Sequence, residues 1–191
     1  MERDLARIAL FAALIAALGL VPQITLGFGV PITAQTLGVM LAGAVLGAWR
    51  GAAAAGLLLL LVALGLPLLS GGRGGLGVFV GPTAGFALGF PVAAFATGLF
   101  VEHVRLRSAG LTAGLGAVFG GILTLYLLGA TGLSIVIDKP LAEAFRLVAV
   151  FIPGDLLKAV ITGLLVQALA QARPQALDWY RGGAAAGARR L

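Results

Sequence analysis

The sequence predicts an all-α integral membrane protein with six transmembrane helices, and three observations support this fold class. The chain is 60% hydrophobic and only 10% charged, whereas soluble domains carry about 25% charged residues. Its apolar residues form six stretches close to the ~20 residues that a helix needs to cross a bilayer. Most of its basic residues lie at the ends of these stretches, in every second connection along the chain. A bilayer solvates apolar side chains directly, so this composition excludes a soluble globule and requires a lipid environment.

The six predicted spans run from 16 to 23 residues and cover 5–21, 32–48, 51–66, 82–101, 111–133 and 153–172. The first resembles a secretory signal, but another apolar stretch begins at residue 32 and no polar domain follows. We therefore expect the first helix to be retained. We place the joint between spans two and three at Trp49 and Arg50, because an arginine in mid-bilayer is costly. Three G-x-x-x-G pairs, which begin at Gly43, Gly85 and Gly116, are typical of close helix packing.

Arginine placement predicts the orientation of the chain. With six spans, nine of the thirteen basic residues share one side, which the positive-inside rule makes cytoplasmic. Both termini then face the cytoplasm, while Arg73 and Lys139 face outward. These nine residues are Arg3, Arg7, Arg50, Arg105, Arg107, Arg173, Arg181, Arg189 and Arg190.

Two outer loops and the C-terminal tail complete the organisation. Residues 67–81 include six glycines and one arginine. We expect a short interfacial or re-entrant helix over residues 140–151, ended by Pro153, which removes a backbone donor and disfavours helix at Ile152. Residues 1–173 then form the membrane domain, and residues 174–191 form a flexible cytoplasmic tail.

The composition excludes several functional classes. The chain has no cysteine and one histidine, so we expect no metal site, no cofactor and no catalytic residues. Gly72 to Gly77 matches G-x-G-x-x-G, but no strand precedes it, so it is not a dinucleotide site. A phosphate-binding P-loop is absent from the sequence, so any ATP-driven activity comes from a partner. The net charge of +6 reflects topology rather than nucleic-acid binding.

The glycine run has two interpretations. Glycine-rich segments are often mobile connectors. Alternatively, glycines let backbone N–H groups approach a ligand and form an anion-accepting concavity. The second interpretation gains support from Gly81-Pro82-Thr83, which opens the fourth span, because the N-terminus of a helix carries partial positive charge.

Asp155 and Lys158 are the other polar feature. Their spacing places them on one helix face near the start of the sixth span, where an ionised group is costly. They are either a helix-start carboxylate with a snorkelling lysine or a ligand site. Gln35 and Thr36, with Thr33 nearby, form a small polar group early in the second span, although Thr33 is equally suited to capping it.

Three segments resemble the BioY family, the biotin-specific substrate-capture subunits of energy-coupling-factor (ECF) transporters. They are PITAQTL at 31–37, GGRGGLGVFVGPTAGFALGF at 71–90 and FIPGDLLK at 151–158. The resemblance covers nearly the whole chain. It implies a non-enzymatic, high-affinity biotin-binding subunit in the cytoplasmic membrane of a prokaryote. Its partners would be a transmembrane coupling subunit and two cytoplasmic ATPases.

The resemblance also implies a set of site residues. Where the family often has a second glycine and a tyrosine after Gly-Pro-Thr, this chain has Ala84 and Phe86, so a phenol hydroxyl is missing. With Gln35 from the polar group above, the expected substrate-binding residues are Gln35, Gly71, Gly72, Arg73, Gly74, Gly75, Gly77, Thr83, Phe86, Asp155 and Lys158.

The chemistry of biotin leaves its orientation open at this point. Asp155 could accept from a ureido N–H and Lys158 could donate to the ureido oxygen, with loop amides or Arg73 at the carboxylate. Lys158 could instead pair with the carboxylate. Alternatives for the function are a subunit for another small vitamin, an intramembrane enzyme, for which a nucleophile–base pair or metal cluster is lacking, and a structural scaffold.

The first helix carries a stripe of alanines that lets another helix approach closely. The resemblance places the contact with the coupling subunit on this helix, whereas packing within the subunit would use the same residues. The alanines are Ala9, Ala13 and Ala17, with Ala12 and Ala16 beside them.

Overall fold

The fold is a helical bundle, described by a computed structural model for residues 2–24 and 27–180. Two isolated β-bridges, Ile24 with Ile32 and Leu69 with Arg73, lie in loops at one end of the bundle. In this part of the chain the α-helices are α1 Glu2–Leu18, α2 Gln35–Leu46, α3 Ala48–Ala63, α4 Ala84–His103, α5 Ala109–Ala117, α6 Leu125–Ile137, α7 Leu141–Val148 and α8 Ile152–Ala172.

The helices fall at the positions of the six predicted spans. A π-helix, Val118–Thr124, joins α5 to α6. Three continuous helical stretches are long and apolar enough to cross a membrane: Ala84–His103, Ala109–Ile137 and Leu141–Ala172. The apolar helices α2 and α3 have 12 and 16 residues, about 18 and 24 Å at ~1.5 Å per residue. The all-helical fold is therefore confirmed, with three helices suited to span a membrane, while the count of six spans stays a prediction.

The joint between α2 and α3 lies at Gly47 and not at Trp49 and Arg50, as we predicted. Gly47 has a φ of 84°, a conformation that glycine adopts without a steric penalty. The Glu102 carboxylate accepts from the backbone N–H of Ala48 at 2.8 Å and so satisfies a free donor at the start of α3. Because of this contact from α4, α2 ends before Gly47. We had predicted a later end from the cost of burying Arg50.

The last span begins at Ile152, close to its predicted start, but the chain breaks earlier than we predicted. The short helix before it is present as α7, but the break occurs in the 3-10 turn Ala149–Phe151. Ile152 is helical, with φ −52° and ψ −49°. Pro153 therefore starts α8 instead of interrupting it, because the first N–H groups of a helix have no partner within the helix.

Small residues bring the helices close around α4, which packs against α2, α3, α5 and α6. A Cβ atom added at Gly85 would lie 2.5 Å from the carbonyl oxygen of Leu128 and 2.9 Å from Cα of Gly132. Gly43 and Gly120 likewise approach the backbone of Ala94 and Ala93. The predicted packing role of the G-x-x-x-G pairs is confirmed at these positions.

One end of the bundle gathers basic residues and the C-terminal segment. Asp178 forms ion pairs with Arg7 of α1 and Arg50 of α3, and Arg50 also pairs with Asp4 at 3.1 Å. Trp179 Nε1 donates to the carbonyl oxygen of Ala44 at 2.9 Å. The N-terminus, the α2–α3 joint and the C-terminal segment therefore share one end.

The predicted flexible tail begins with seven residues that the structure describes, 174–180. Residues 174–180 pack against the bundle, and Leu177 is fully buried. The apolar side chain of Leu177 and the charge of Asp178 hold the segment, which the Gly- and Ala-rich composition of the tail did not reveal. The rest of the predicted tail, 181–191, lies outside the described residues.

Gly85→Ala should destabilise the protein, because the new methyl group meets backbone atoms of α6 that cannot move aside. Overpacking of this kind costs about 1–3 kcal/mol, so the thermal unfolding midpoint in detergent should fall. Gly56→Ala is the matched control, since nothing lies within 4 Å of a Cβ at Gly56. Equal midpoints for the two variants would contradict the close packing of α4 on α6.

Candidate functional site

A cavity lies at the end of the bundle opposite the basic cluster, between the start of α2, the loop before α4, and helices α4, α6 and α8. Its volume is about 60 Å³, and it is partly open to solvent. Most of its wall is apolar, and its polar side chains come from four parts of the chain. These polar side chains are Thr33, Gln35, Thr36, Arg73, Thr83, Tyr126, Asp155 and Lys158.

Asp155 and Lys158 form a buried ion pair on the cavity wall, with 2.8 Å between Lys158 Nζ and Asp155 Oδ1. The Asp155 side chain is 5% exposed and that of Lys158 is 16% exposed. Asp155 lies in the first turn of α8, where the helix dipole stabilises a carboxylate. The predicted pairing of these two residues on one helix face is confirmed.

The start of α2 completes the coordination of the lysine. Lys158 Nζ donates to the carbonyl oxygen of Thr33 at 2.6 Å and to Thr36 Oγ1 at 2.9 Å, besides Asp155. An ammonium group has three donors, so all of them have protein partners. Thr36 Oγ1 also donates to Asp155 Oδ1 at 3.1 Å. Thr33 contributes its backbone here, and the cap of α2 makes no side-chain hydrogen bond.

Tyr126 of α6 is a site residue that our sequence analysis missed. Its hydroxyl donates to Asp155 Oδ2 at 2.6 Å, so the carboxylate accepts three hydrogen bonds and keeps room for about one more. No local motif surrounds Tyr126. The sequence offered one signal for it: Tyr126 is the only tyrosine in the six predicted spans. A phenol in an apolar helix usually finds a hydrogen-bond partner.

Aromatic rings form the apolar side of the cavity. Phe86 of α4 packs edge-on against Phe151, with ring centroids 6.2 Å apart, and against Tyr126 at 6.4 Å. Phe28, from the loop before α2, packs against Phe151 with 6.0 Å between the ring centroids. Phe86 therefore contributes an apolar ring to the cavity wall. The phenol hydroxyl in this part of the cavity is that of Tyr126.

Arg73 lies at the other side of the cavity, where the loop between α3 and α4 meets the start of α4. Its Nε donates to the carbonyl oxygen of Ser70 at 3.1 Å and its Nη1 to Thr83 Oγ1 at 2.9 Å. The ion pairs found in the described part of the chain do not include Arg73. Burial lowers the pKa of its guanidinium from the ordinary value. A half-buried cation with free donors is suited to an anionic group.

Gly71 and Gly72 position Arg73, and the glycines of the loop do not line the cavity. Leu69 and Arg73 exchange two backbone hydrogen bonds, at 3.0 and 3.2 Å, and the chain turns between them with positive φ at Gly71 and Gly72. The expected ligand-binding glycines, Gly71, Gly72, Gly74, Gly75 and Gly77, are absent from the cavity lining. Three of them line a second, solvent-open pocket, here called the vestibule, whose lining is Gly29, Gly72, Arg73, Gly74, Gly77, Val78, Gly81, Pro82 and Thr83.

Gln35 borders the cavity, but its side chain is engaged in the fold. Its Nε2 donates to the carbonyl oxygens of Ile15 and Leu68, and its Oε1 accepts from the N–H and hydroxyl of Ser70. Gln35 is 2% exposed and has no donor left for a ligand. It joins α1, α2 and the loop that carries Arg73, so these contacts give it a structural role, and its expected substrate-binding role stays a prediction.

The alanine stripe of α1 divides between two faces. Ala12 is buried and Ala16 packs against the core, so these two belong to the interior of the bundle. Ala9, Ala13 and Ala17 are exposed. The expected partner-binding residues are therefore accessible at three of the five positions.

Comparison with known proteins places the chain in one family along nearly all of its length. The BioY family matches residues 2–175. The biotin transporter BioY of Rhodobacter capsulatus is 58% identical over 186 residues, which cover 93% of this chain and 98% of that protein. The biotin transporter BioY of Rhizobium etli is 54% identical, with coverage of 87% and 92%.

A solved structure matches the fold. The S-component for biotin from an ECF-type ABC transporter superposes with a TM-score of 0.82 and 32% sequence identity. The match covers 89% of this chain and 92% of that one.

Proposed function

This chain belongs to the BioY family, and we infer that it is the biotin-specific S component of an ECF-type importer. It is a transport subunit and not an enzyme: it binds the vitamin in the membrane and supplies the specificity of uptake. The observation that carries this function is the buried Asp155–Lys158 pair on a cavity wall, in a chain that matches biotin transporters over nearly its whole length.

The charges of the cavity favour one orientation of biotin. The Asp155–Lys158 pair is neutral overall and Lys158 already has three acceptors. A ligand carboxylate placed there would leave a net negative charge in a buried site, which is costly. The ureido ring is neutral and carries both donors and an acceptor, so it can exchange hydrogen bonds with the pair. We therefore assign the ureido ring to Asp155, Lys158 and Tyr126.

We place the remaining parts of biotin along the rest of the cavity wall. The apolar thiolane and its carbon chain would lie along Phe86 and Phe151. The carboxylate would meet Arg73, which has no carboxylate partner among the described residues and keeps free N–H donors after bonding Ser70 and Thr83. Thr83 and Phe86 are thus binding residues in this proposal, and Gly71 and Gly72 act through the position of Arg73.

The charged residues at the two ends of the bundle indicate the topology. With six spans, the end that holds Arg7, Arg50 and Asp178 faces the cytoplasm, under the positive-inside rule. The cavity and its vestibule then open outward, where biotin arrives. We propose the cytoplasmic membrane of a prokaryote as the location, with both termini inside the cell.

The partners supply the energy that this chain lacks. We propose a transmembrane coupling subunit and two cytoplasmic ATPases, with the coupling subunit docked on the exposed face of α1 that Ala9, Ala13 and Ala17 form. Small side chains let a second helix approach closely within lipid.

Asp155→Asn should weaken biotin binding by at least about tenfold, equivalent to ~1.4 kcal/mol, because it removes the charge and replaces an acceptor with a donor. Lys158→Met should do the same, and the double variant should lose less than the sum if the pair acts as a unit. Titration of the purified protein with biotin measures each affinity.

The control for this pair is the exposed ion pair of Lys139 and Glu143. Glu143→Gln should leave the affinity unchanged. If Asp155→Asn and Lys158→Met also bind biotin normally but unfold at lower temperature, the buried pair is structural and the ligand site lies elsewhere.

Single cysteines test the topology, since the natural chain has none. Lys139→Cys, at a side chain that is 53% exposed, should react with a membrane-impermeant thiol reagent in intact cells. Arg105→Cys, in the exposed α4–α5 loop, should react only after the membrane is permeabilised. The reverse pattern would invert the orientation.

Ala13→Trp should weaken copurification with the coupling subunit and leave biotin affinity intact, because the indole keeps the partner helix at a distance. Ala53→Trp provides the same change at an exposed position of α3 and should assemble normally. Loss of both assembly and biotin binding in Ala13→Trp would identify the stripe as an internal packing seam.

A further inference from the structure

The cavity and the vestibule meet at two side chains. Arg73 and Thr83 line both pockets, and the hydrogen bond between Arg73 Nη1 and Thr83 Oγ1 runs along their boundary. Asp155 and Lys158 line the cavity alone. A ligand whose polar ring binds at Asp155 and whose chain ends at Arg73 therefore has its free end at the opening to the vestibule.

The vestibule leaves open space beyond Arg73 and Thr83. Gly29, Gly72 and Gly77 are exposed, and nothing lies within 4 Å of a Cβ placed at Gly72 or Gly77. Five of its nine lining residues are glycines, which offer backbone groups to a polar substituent without filling the space. Solvent enters this pocket directly, so the length of a substituent is not limited by a wall.

The side chain of Arg73 can accept a neutral group as well as an anion. A guanidinium has five N–H donors, and two of its nitrogens bond Ser70 and Thr83. An amide carbonyl oxygen in place of a carboxylate keeps a hydrogen bond to the remaining donors and loses the charge pairing.

From this arrangement we propose that the chain also binds biotin amides, in which the carboxylate is joined to an amine, with the substituent held in the vestibule. The proposal rests on the biotin-binding function and on the orientation with the carboxylate at Arg73. It extends the substrate class from the free vitamin to its conjugates with amines such as the lysine side chain.

Competition binding tests the proposal with Nε-biotinyl-lysine as the probe. The probe should displace labelled biotin from the wild-type protein, with affinity about tenfold below that of biotin, because a hydrogen bond to a neutral amide oxygen replaces an ion pair with the carboxylate. Arg73→Gln should bring the two affinities close together, since only free biotin loses a charge partner.

A substitution that fills the vestibule locates the substituent. Gly77→Trp should weaken binding of biotinyl-lysine by at least about tenfold and leave biotin affinity unchanged, because Gly77 does not line the cavity. Gly56→Trp is the matched control at another glycine with open space around its Cβ, and it should change neither affinity.

Three results would overturn the proposal while biotin binding itself stands. The first is a wild-type protein that binds biotin but not biotinyl-lysine. The second is a Gly77→Trp variant that binds both ligands as the wild type does or loses both alike, and the third is a ratio of the two affinities that Arg73→Gln leaves unchanged. Absence of biotin binding by the wild-type protein would be a different failure, that of the proposed function together with this extension.

Discussion

The buried ion pair of Asp155 and Lys158 constrains the arrangement of the whole cavity. A charged group in an apolar environment is costly unless it is paired and hydrogen-bonded. Pairing alone does not satisfy these two residues, so the start of α2 supplies Thr33 and Thr36, and α6 supplies Tyr126. Three helices that are distant in sequence are therefore fixed relative to one another around one polar cluster, and the cluster faces a space that a ligand can enter.

Close packing of helices places the remaining parts of the site. The approach of Gly85 to Gly132 sets α4 against α6, which brings Phe86 beside Tyr126. Gln35 joins α1 and α2 to the loop that ends at Arg73. In the proposed orientation, the neutral end of biotin meets the ion pair, and its anionic end meets Arg73, which has no carboxylate partner among the described residues. Independent contacts hold these two groups.

The features that the sequence predicted well are those with a local cause. Apolar stretches and arginines between them define the helices, and the spacing of Asp155 and Lys158 places both on one face. The PGDLLK and glycine-loop segments identified the family, which the comparisons confirmed. Features that depend on contacts between distant segments were missed. Glu102 fixes the joint at Gly47, Leu177 and Asp178 dock the C-terminal segment, and the π-helix Val118–Thr124 lies where Gly120 meets α4.

The residues of the site divide in the same way, into those that a local segment predicts and those that depend on contacts between distant segments. Arg73, Thr83, Phe86, Asp155 and Lys158 line the cavity as expected, because each belongs to a recognisable segment. Tyr126 was missed because it lies alone in an apolar helix. The hydrogen bonds of Gln35 to Ile15, Leu68 and Ser70 were not predicted, since these partners are apparent only after folding.

The central claim is that Lys158 and Asp155 bind the ureido ring of biotin and not its carboxylate. Infrared difference spectroscopy of the protein with biotin labelled with ¹³C at the ureido carbonyl tests it most directly, because the label separates this band from the protein amide bands. The account predicts that binding moves the labelled band away from its frequency in water, and that Lys158→Met removes much of this shift. A shift that Lys158→Met leaves unchanged, with the biotin carboxylate bands altered instead, would contradict the account.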